Sequence, residues 1–436
     1  MKRPIVISLL VIALALVCLG IGAVIFFSAN RGFVTHNPFD VRDISSQLQE
    51  NKTLKVDTEK PLTLKVASAA GDITVTGANV DNVQVKIVKT AYSSSQSQAD
   101  KEVKSIKYSI EQTGNTITLK YELPKSMNLT NNVNRVDFDI TVPKEVSVDI
   151  DGSLGVISVA GTTGNVDIKN DFGDVRLEDI EGALTVQTSS GEVEAISIVA
   201  EAENIDLRSD FGGVTLKKAN SQNITLDSNS GPITLNEVRA NGDIHTNTDF
   251  GNTDFENGSG DSLSVETSSG RVSLVKVRVS KEIKVQNDFG DIELEQASAA
   301  SYDLHTSSGS ITASGAKGKL KAFTDFGSIK IENAQDATLD LKTSSGSVEF
   351  NGSLGAGPHT VSSDFGEIDL TLPVDSQLNV DLSTDFGHIN SDLPITVTLN
   401  GNSNSDGDQI VGSINGGGDQ FTAQTNSGSV NIHTAE

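Results

Sequence analysis

Seven Asp-Phe-Gly tripeptides recur between residues 171 and 387 of this 436-residue chain, and Ser-Ser-Gly or Asn-Ser-Gly turns fall between them. The glycines of the first set are Gly173, Gly212, Gly251, Gly290, Gly327, Gly366 and Gly387. Those of the second are Gly191, Gly231, Gly270, Gly309 and Gly346, with a late echo at Gly428. From Gly173 to Gly387 successive turn glycines lie 18 to 21 residues apart, and up to Gly366 the two kinds alternate to give a long period near 39. A fixed period in this range marks a supersecondary unit that cannot bury its apolar face alone and must stack on copies of itself. Such an array argues against a single catalytic centre.

Within one unit, Gly173 to Gly191, Val175 and Leu177 alternate with Asp174, Arg176 and Glu178. After a turn near Glu181-Gly182, Leu184 and Val186 alternate again. Period two with β-branched and aliphatic residues on one side predicts short strands with one buried face. The spacing therefore predicts an all-β solenoid whose coil is about 19–20 residues, two strands and two turns. A 39-residue coil of four strands competes with it; the smaller coil is favoured because both turn types end the same kind of strand.

Coils stack at about 4.8 Å, so a Phe in every second coil repeats at roughly twice that distance. Phe172, Phe211, Phe250, Phe289, Phe326, Phe365 and Phe386 are thus expected to point inward, most of them spreading over the serines of the intervening coils. Large-small alternation is how a regular core fills without voids. The glycines belong where the chain turns with positive φ or passes close to its neighbour.

Residues 5–27 form an unbroken apolar run preceded by Lys2 and Arg3. Its length suits one bilayer-spanning helix, and the flanking charge places residues 1–4 in the cytoplasm. A signal anchor is expected rather than a cleaved signal, which would have a shorter apolar stretch and a small-residue cleavage site. The expected location is therefore the cell membrane, single-pass, with the C-terminal region outside. Residues 28–52 read as a stalk, 53–150 as a β-rich N-terminal cap, 151–390 as the solenoid array of some twelve coils, and 391–436 as an irregular C-terminal cap. In the N-terminal cap, 94–107 carries Ala99, Val103 and Ile106 at helical spacing. A formal charge of −25 argues against nucleic acid, which requires a basic stripe. The lone cysteine, Cys18, lies in the apolar run, so no disulfide is expected outside the membrane.

Three features together resemble the putative adhesin family of bacterial envelope β-solenoid domains. They are A-S-A-A-G-D-I-T-V-T-G at 67–77, F-D-I-T-V-P at 138–143 leading into S-L-G-V-I-S-V at 153–159, and the train of S-S-G-x-V and D-F-G-x-I/V units. The resemblance implies an envelope location and a non-enzymatic role, and it brings no active site to transfer.

Asp-Phe-Gly is also the magnesium motif of protein kinases, but the Gly-rich loop, strand lysine and catalytic loop are missing. Asp171, Asp210, Asp249, Asp288, Asp325, Asp364 and Asp385 are expected to line one edge and accept hydrogen bonds from turn amides. A weak cation ladder along them is the competing role, limited by a spacing of about 10 Å that is too wide for two carboxylates to share an ion. Asp406, Asp408 and Asp419 cluster in an irregular loop without a His or Arg beside them, a poor basis for a polysaccharide-active β-helix enzyme. His36, His245, His305, His359, His388 and His433 are scattered and read as surface residues. No cofactor, metal or catalytic residue is assigned. The sequence thus points to a non-catalytic envelope protein making adhesive or structural contacts with an envelope protein or surface polymer. An accessory module of an envelope-stress response is the alternative.

Overall fold

Strands that alternate aliphatic and polar residues can satisfy their backbones only by pairing, and here they pair with the coil before and the coil after. In the computed structural model, which describes residues 44–123, 133–398 and 408–435, the result is an all-β solenoid of about 11 turns. Val166 pairs in parallel with Leu184, Leu184 with Ile205, Ile205 with Ile224 and Ile224 with Ile244. One coil is therefore 18 to 21 residues, the smaller of the two arrangements. The aliphatic residues of these strands are almost wholly buried and form one continuous core. The membrane-span reading of 5–27 lies outside the described residues. Among those described, no helix is long and apolar enough to cross a membrane.

Each coil has three segments rather than two, as in Ile244–Phe250, Thr253–Glu256 and Ser259–Gly260. The extra bend between the second and third is made by residues in the left-handed region: Asp179, Ser197, Lys218, Glu237, Asn257, Lys276, Gln296 and Asn333, with φ between 52° and 59°. Each costs on the order of 1 kcal/mol or more. The coil-to-coil ladder holds them, as when the Asn257 amide donates to the Val275 carbonyl at 3.0 Å and Lys276 to Glu295 at 2.8 Å. Any polar residue serves there, so the bend leaves no signature in the sequence.

At the glycine corner successive backbones lie in contact. Gly173 has φ +131°, and a Cβ on it would collide with the Gly155 carbonyl. The same contact repeats from Gly71 to Gly387, passing through Gly428 between Gly366 and Gly387.

Both ends are built out of sequence order. Leu62–Ser68 pairs in parallel with Thr116–Tyr121 on one side and Val146–Leu154 on the other. Ile73–Ala78 likewise lies between Arg135–Pro143 and Ile157–Ala160. The segment expected as a separate cap thus supplies the first coils of the solenoid. Outside them, Asn82–Ser93 runs antiparallel to Arg135–Pro143, and Ile44–Lys55 antiparallel to Asn82–Ser93. The strand Ile44–Lys55 takes in the end of the segment read as a stalk. It is tied down by Glu50, which accepts from Lys89 Nζ at 2.7 Å and from the Tyr108 hydroxyl at 2.6 Å. These two bonds hold the Glu50 carboxyl below its usual range. Burial, then Glu50, pushes Tyr108 up to about 12. The expected helix is present as Gln96–Ser105, with Ala99 and Val103 buried.

At the other end, Asp419–Ser427 inserts in parallel between His359–Ser363 and Leu378–Phe386. Val430–Thr434 does the same between Ile368–Leu372 and Ile389–Ser391. The C-terminus read as irregular is therefore largely a regular coil. Asp408–Ile414 then closes the end by pairing antiparallel with Leu378–Phe386.

Candidate functional site

The Asp-Phe-Gly corners do stack into one edge, but the phenylalanines face outward. Phe172, Phe211, Phe250, Phe289, Phe326, Phe365 and Phe386 are between 56% and 74% exposed, and this corrects the expectation that they fill the core. The inward position at the corner belongs instead to the residue three before the glycine: Asn170, Thr188, Ser209, Ser228, Thr248, Thr267, Asn287, Thr306, Thr324, Thr343 and Ser363, all buried. Most donate to a corner glycine carbonyl in the neighbouring coil: Ser209 Oγ to Gly191 at 2.9 Å, Thr306 to Gly290 at 3.0 Å, Thr343 to Gly327 at 2.8 Å. With glycine backbones in contact, that slot holds a hydroxyl or amide and has no room for a ring. Thr188 Oγ1 alone among the Ser and Thr of the row lacks a partner.

The large-small alternation expected for the core is therefore real but lies on the surface. Phe172 is level with Ser190, Ser190 with Phe211, Phe211 with Ser230, Ser230 with Phe250, Phe250 with Ser269, Ser269 with Phe289 and Phe289 with Ser308. At the far end the inserted coil restores the order, since Ser427 is level with Phe386 and its amide donates to the Asp364 carbonyl at 3.0 Å. The rings stand about 10 Å apart, two coils each, separated by notches floored with serine. Among the described residues none stacks on another aromatic ring.

The corner aspartates share this edge without the bonding expected of them. Among the described residues, of their carboxylates only that of Asp210 accepts a hydrogen bond, from Asn229 Nδ2 at 3.2 Å. The turn amides are taken by the residue after the glycine. Asp72 accepts from the Val156 amide at 2.9 Å, Asp174 from Glu192 at 3.1 Å and Asp291 from Ser310 at 2.8 Å. Capping thus sits one residue beyond the repeat motif, leaving the Asp171-type carboxylates free to meet a partner. Among the described residues no three His, Cys, Asp or Glu converge on a metal position.

The family models of Toastrack DUF4097 match residues 87–258 and 256–433. The chain belongs to the Toastrack family. A putative cell adhesion protein from Clostridium sporogenes is 11% identical, with 89% of this chain and 100% of that chain covered and a TM-score of 0.19. A putative adhesin from Bacteroides fragilis is 17% identical, with 66% and 98% covered and a TM-score of 0.29. No curated protein matches the chain.

One histidine in this Toastrack solenoid departs from the surface reading. His359 is buried against Phe421 of the inserted coil, and its Nδ1 accepts from the Leu339 amide at 3.3 Å. Burial lowers its pKa, opposed by Asp419.

Proposed function

We propose that this is a non-catalytic, membrane-anchored envelope protein whose solenoid presents the phenylalanine edge for adhesive or structural contacts outside the cell. The carrying observation is that seven exposed rings stand at one repeated register position where folding is equally served by serine, since serine occupies it in the coils between the rings. Seven exposed rings aligned on one edge are not randomly scattered surface residues, and an aligned apolar row is what a partner could cover. Many equivalent shallow contacts favour an extended partner bound through avidity rather than a substrate bound in a pocket. The apolar run 5–27, with Lys2 and Arg3 before it, supports a single-pass anchor with the solenoid exported.

Cells expressing the full chain with Phe211→Ser, Phe250→Ser and Phe289→Ser test the reading. Attachment to surfaces or envelope material should fall to that of a deletion strain, with the protein still present at normal level and sensitive to protease added outside. Unchanged attachment would remove the edge from the function. Normal attachment with an altered envelope-stress response would favour a sensory role instead.

A further inference from the structure

The edge has a period as well as a chemistry, and the period discriminates among extended partners. One Phe and one Asp recur every two coils, about 9.6 Å. A β-strand repeats its facing side chain every two residues, about 6.8 Å, and an α-helix has a pitch of about 5.4 Å. Neither matches. A polyproline II helix has three residues per turn at about 3.1 Å each, so it returns the same face every 9.3 Å or so. The mismatch of about 0.3 Å per repeat reaches only about 2 Å along the whole ladder.

Chemistry points the same way. Spaced aromatic rings are the usual receptors for proline rings of a preformed polyproline II segment. Each Phe is preceded by an Asp whose carboxylate the structure leaves without backbone partners, and the chain carries −25 overall. An acidic partner is repelled, and one cation per turn is matched.

We propose that the phenylalanine edge binds a basic, proline-rich polypeptide in polyproline II conformation, lying along the solenoid axis with one turn per two coils. An apolar residue enters each serine-floored notch, and a Lys or Arg of the same turn meets the adjacent corner Asp. This rests on the reading of the edge as the contact surface. It deepens that reading by naming the partner class.

The test is titration of the full chain in detergent micelles with (Pro-Lys-Pro) peptides of two and six repeats, with (Gly-Lys-Ser) of six repeats, and with chitohexaose. The six-repeat proline peptide should bind at least about tenfold more tightly than the two-repeat one, because added turns bind intramolecularly. It should also exceed the glycine peptide of equal charge, which pays to become extended. Phe250→Ser with Phe289→Ser interrupts the ladder and should reduce the long peptide to about the affinity of the short one, with the melting temperature retained. Equal binding of the proline and glycine peptides would reduce the edge to a charged surface and overturn the proposal. So would binding of chitohexaose, lost in the Phe variant, without binding of the peptides. Failure of the peptides while the triple variant still abolishes attachment would reject this partner and leave the contact surface standing.

Discussion

At the residue scale, the corner is decided by a contact that forbids a side chain and by a slot that accepts only a small polar one. Gly173 meets both conditions for glycine, a φ of +131° and the Gly155 carbonyl where its Cβ would be. Gly173→Ala should destabilise by about 1–3 kcal/mol, the usual scale of backbone strain. Ser189→Ala, exposed one coil on, should shift stability by less than about 0.5 kcal/mol. Thermal melts of the two variants side by side check this, and equal losses would mean that the corner is not close-packed. His359 supplies a pH dependence. Its pKa is lowered in the folded state, so the unfolded chain takes up a proton near its ordinary value while the native state resists. Stability from this residue is therefore present above about 6.5 and lost as pH falls below it. The melting temperature of the wild-type chain should drop between pH 7.5 and 5.5 by more than that of His359→Gln, whose amide does not titrate.

At the element scale, the coil is the unit and its neighbours are not always its neighbours in sequence. Ser362 is level with Gln424, which in turn is level with Ser383. Ser362 and Ser383 are thus two coils apart, about 10 Å. In a chain with Cys18 replaced by Ser, Ser362→Cys with Gln424→Cys should oxidise readily to an intramolecular disulfide, because adjacent-coil Cα atoms lie within bonding range. Ser362→Cys with Ser383→Cys should not. The opposite pattern on non-reducing gels would restore a stack in sequence order. Volume is also balanced inside single coils. Phe255 occupies a column held by Leu235 and Leu274, and the same coil carries Gly258, where a Cβ would overlap the Phe255 ring. One larger side chain is thus accommodated by a smaller one across the same turn.

For the whole molecule, the period, strand content and coil size were legible because they depend on local alternation and on turns at fixed intervals. The orientation of Phe172 and its equivalents was not. Parity assigns sides only along a regular strand, and the ladder skips Asp171, pairing Asn170 with Thr188 and then Phe172 with Ser190. The inserted coils were equally hidden, although the break in spacing between Gly366 and Gly387 and the stray Gly428 are their trace: two Asp-Phe-Gly corners in succession need an Asn-Ser-Gly coil brought between them. That the alternation is kept at this junction, at the cost of a long return of the chain, raises the question of whether folding or function requires it. Packing does not explain it, since the rings are outside. Deleting residues 252–270 removes one coil, together with both Phe255 and Gly258, and sets Phe250 directly against Phe289 at about 5 Å. Deleting 252–290 removes two coils and keeps every remaining ring at its spacing. Both shortened chains should fold with cooperative melts within a few degrees of wild type, because Leu235 then faces Leu274 or Leu294 in an unbroken core. Only the second should keep the attachment that the edge confers. If the single-coil deletion fails to fold while the double deletion succeeds, the Phe–Ser order is a packing requirement, and the edge loses its strongest claim to be a surface selected for what it touches.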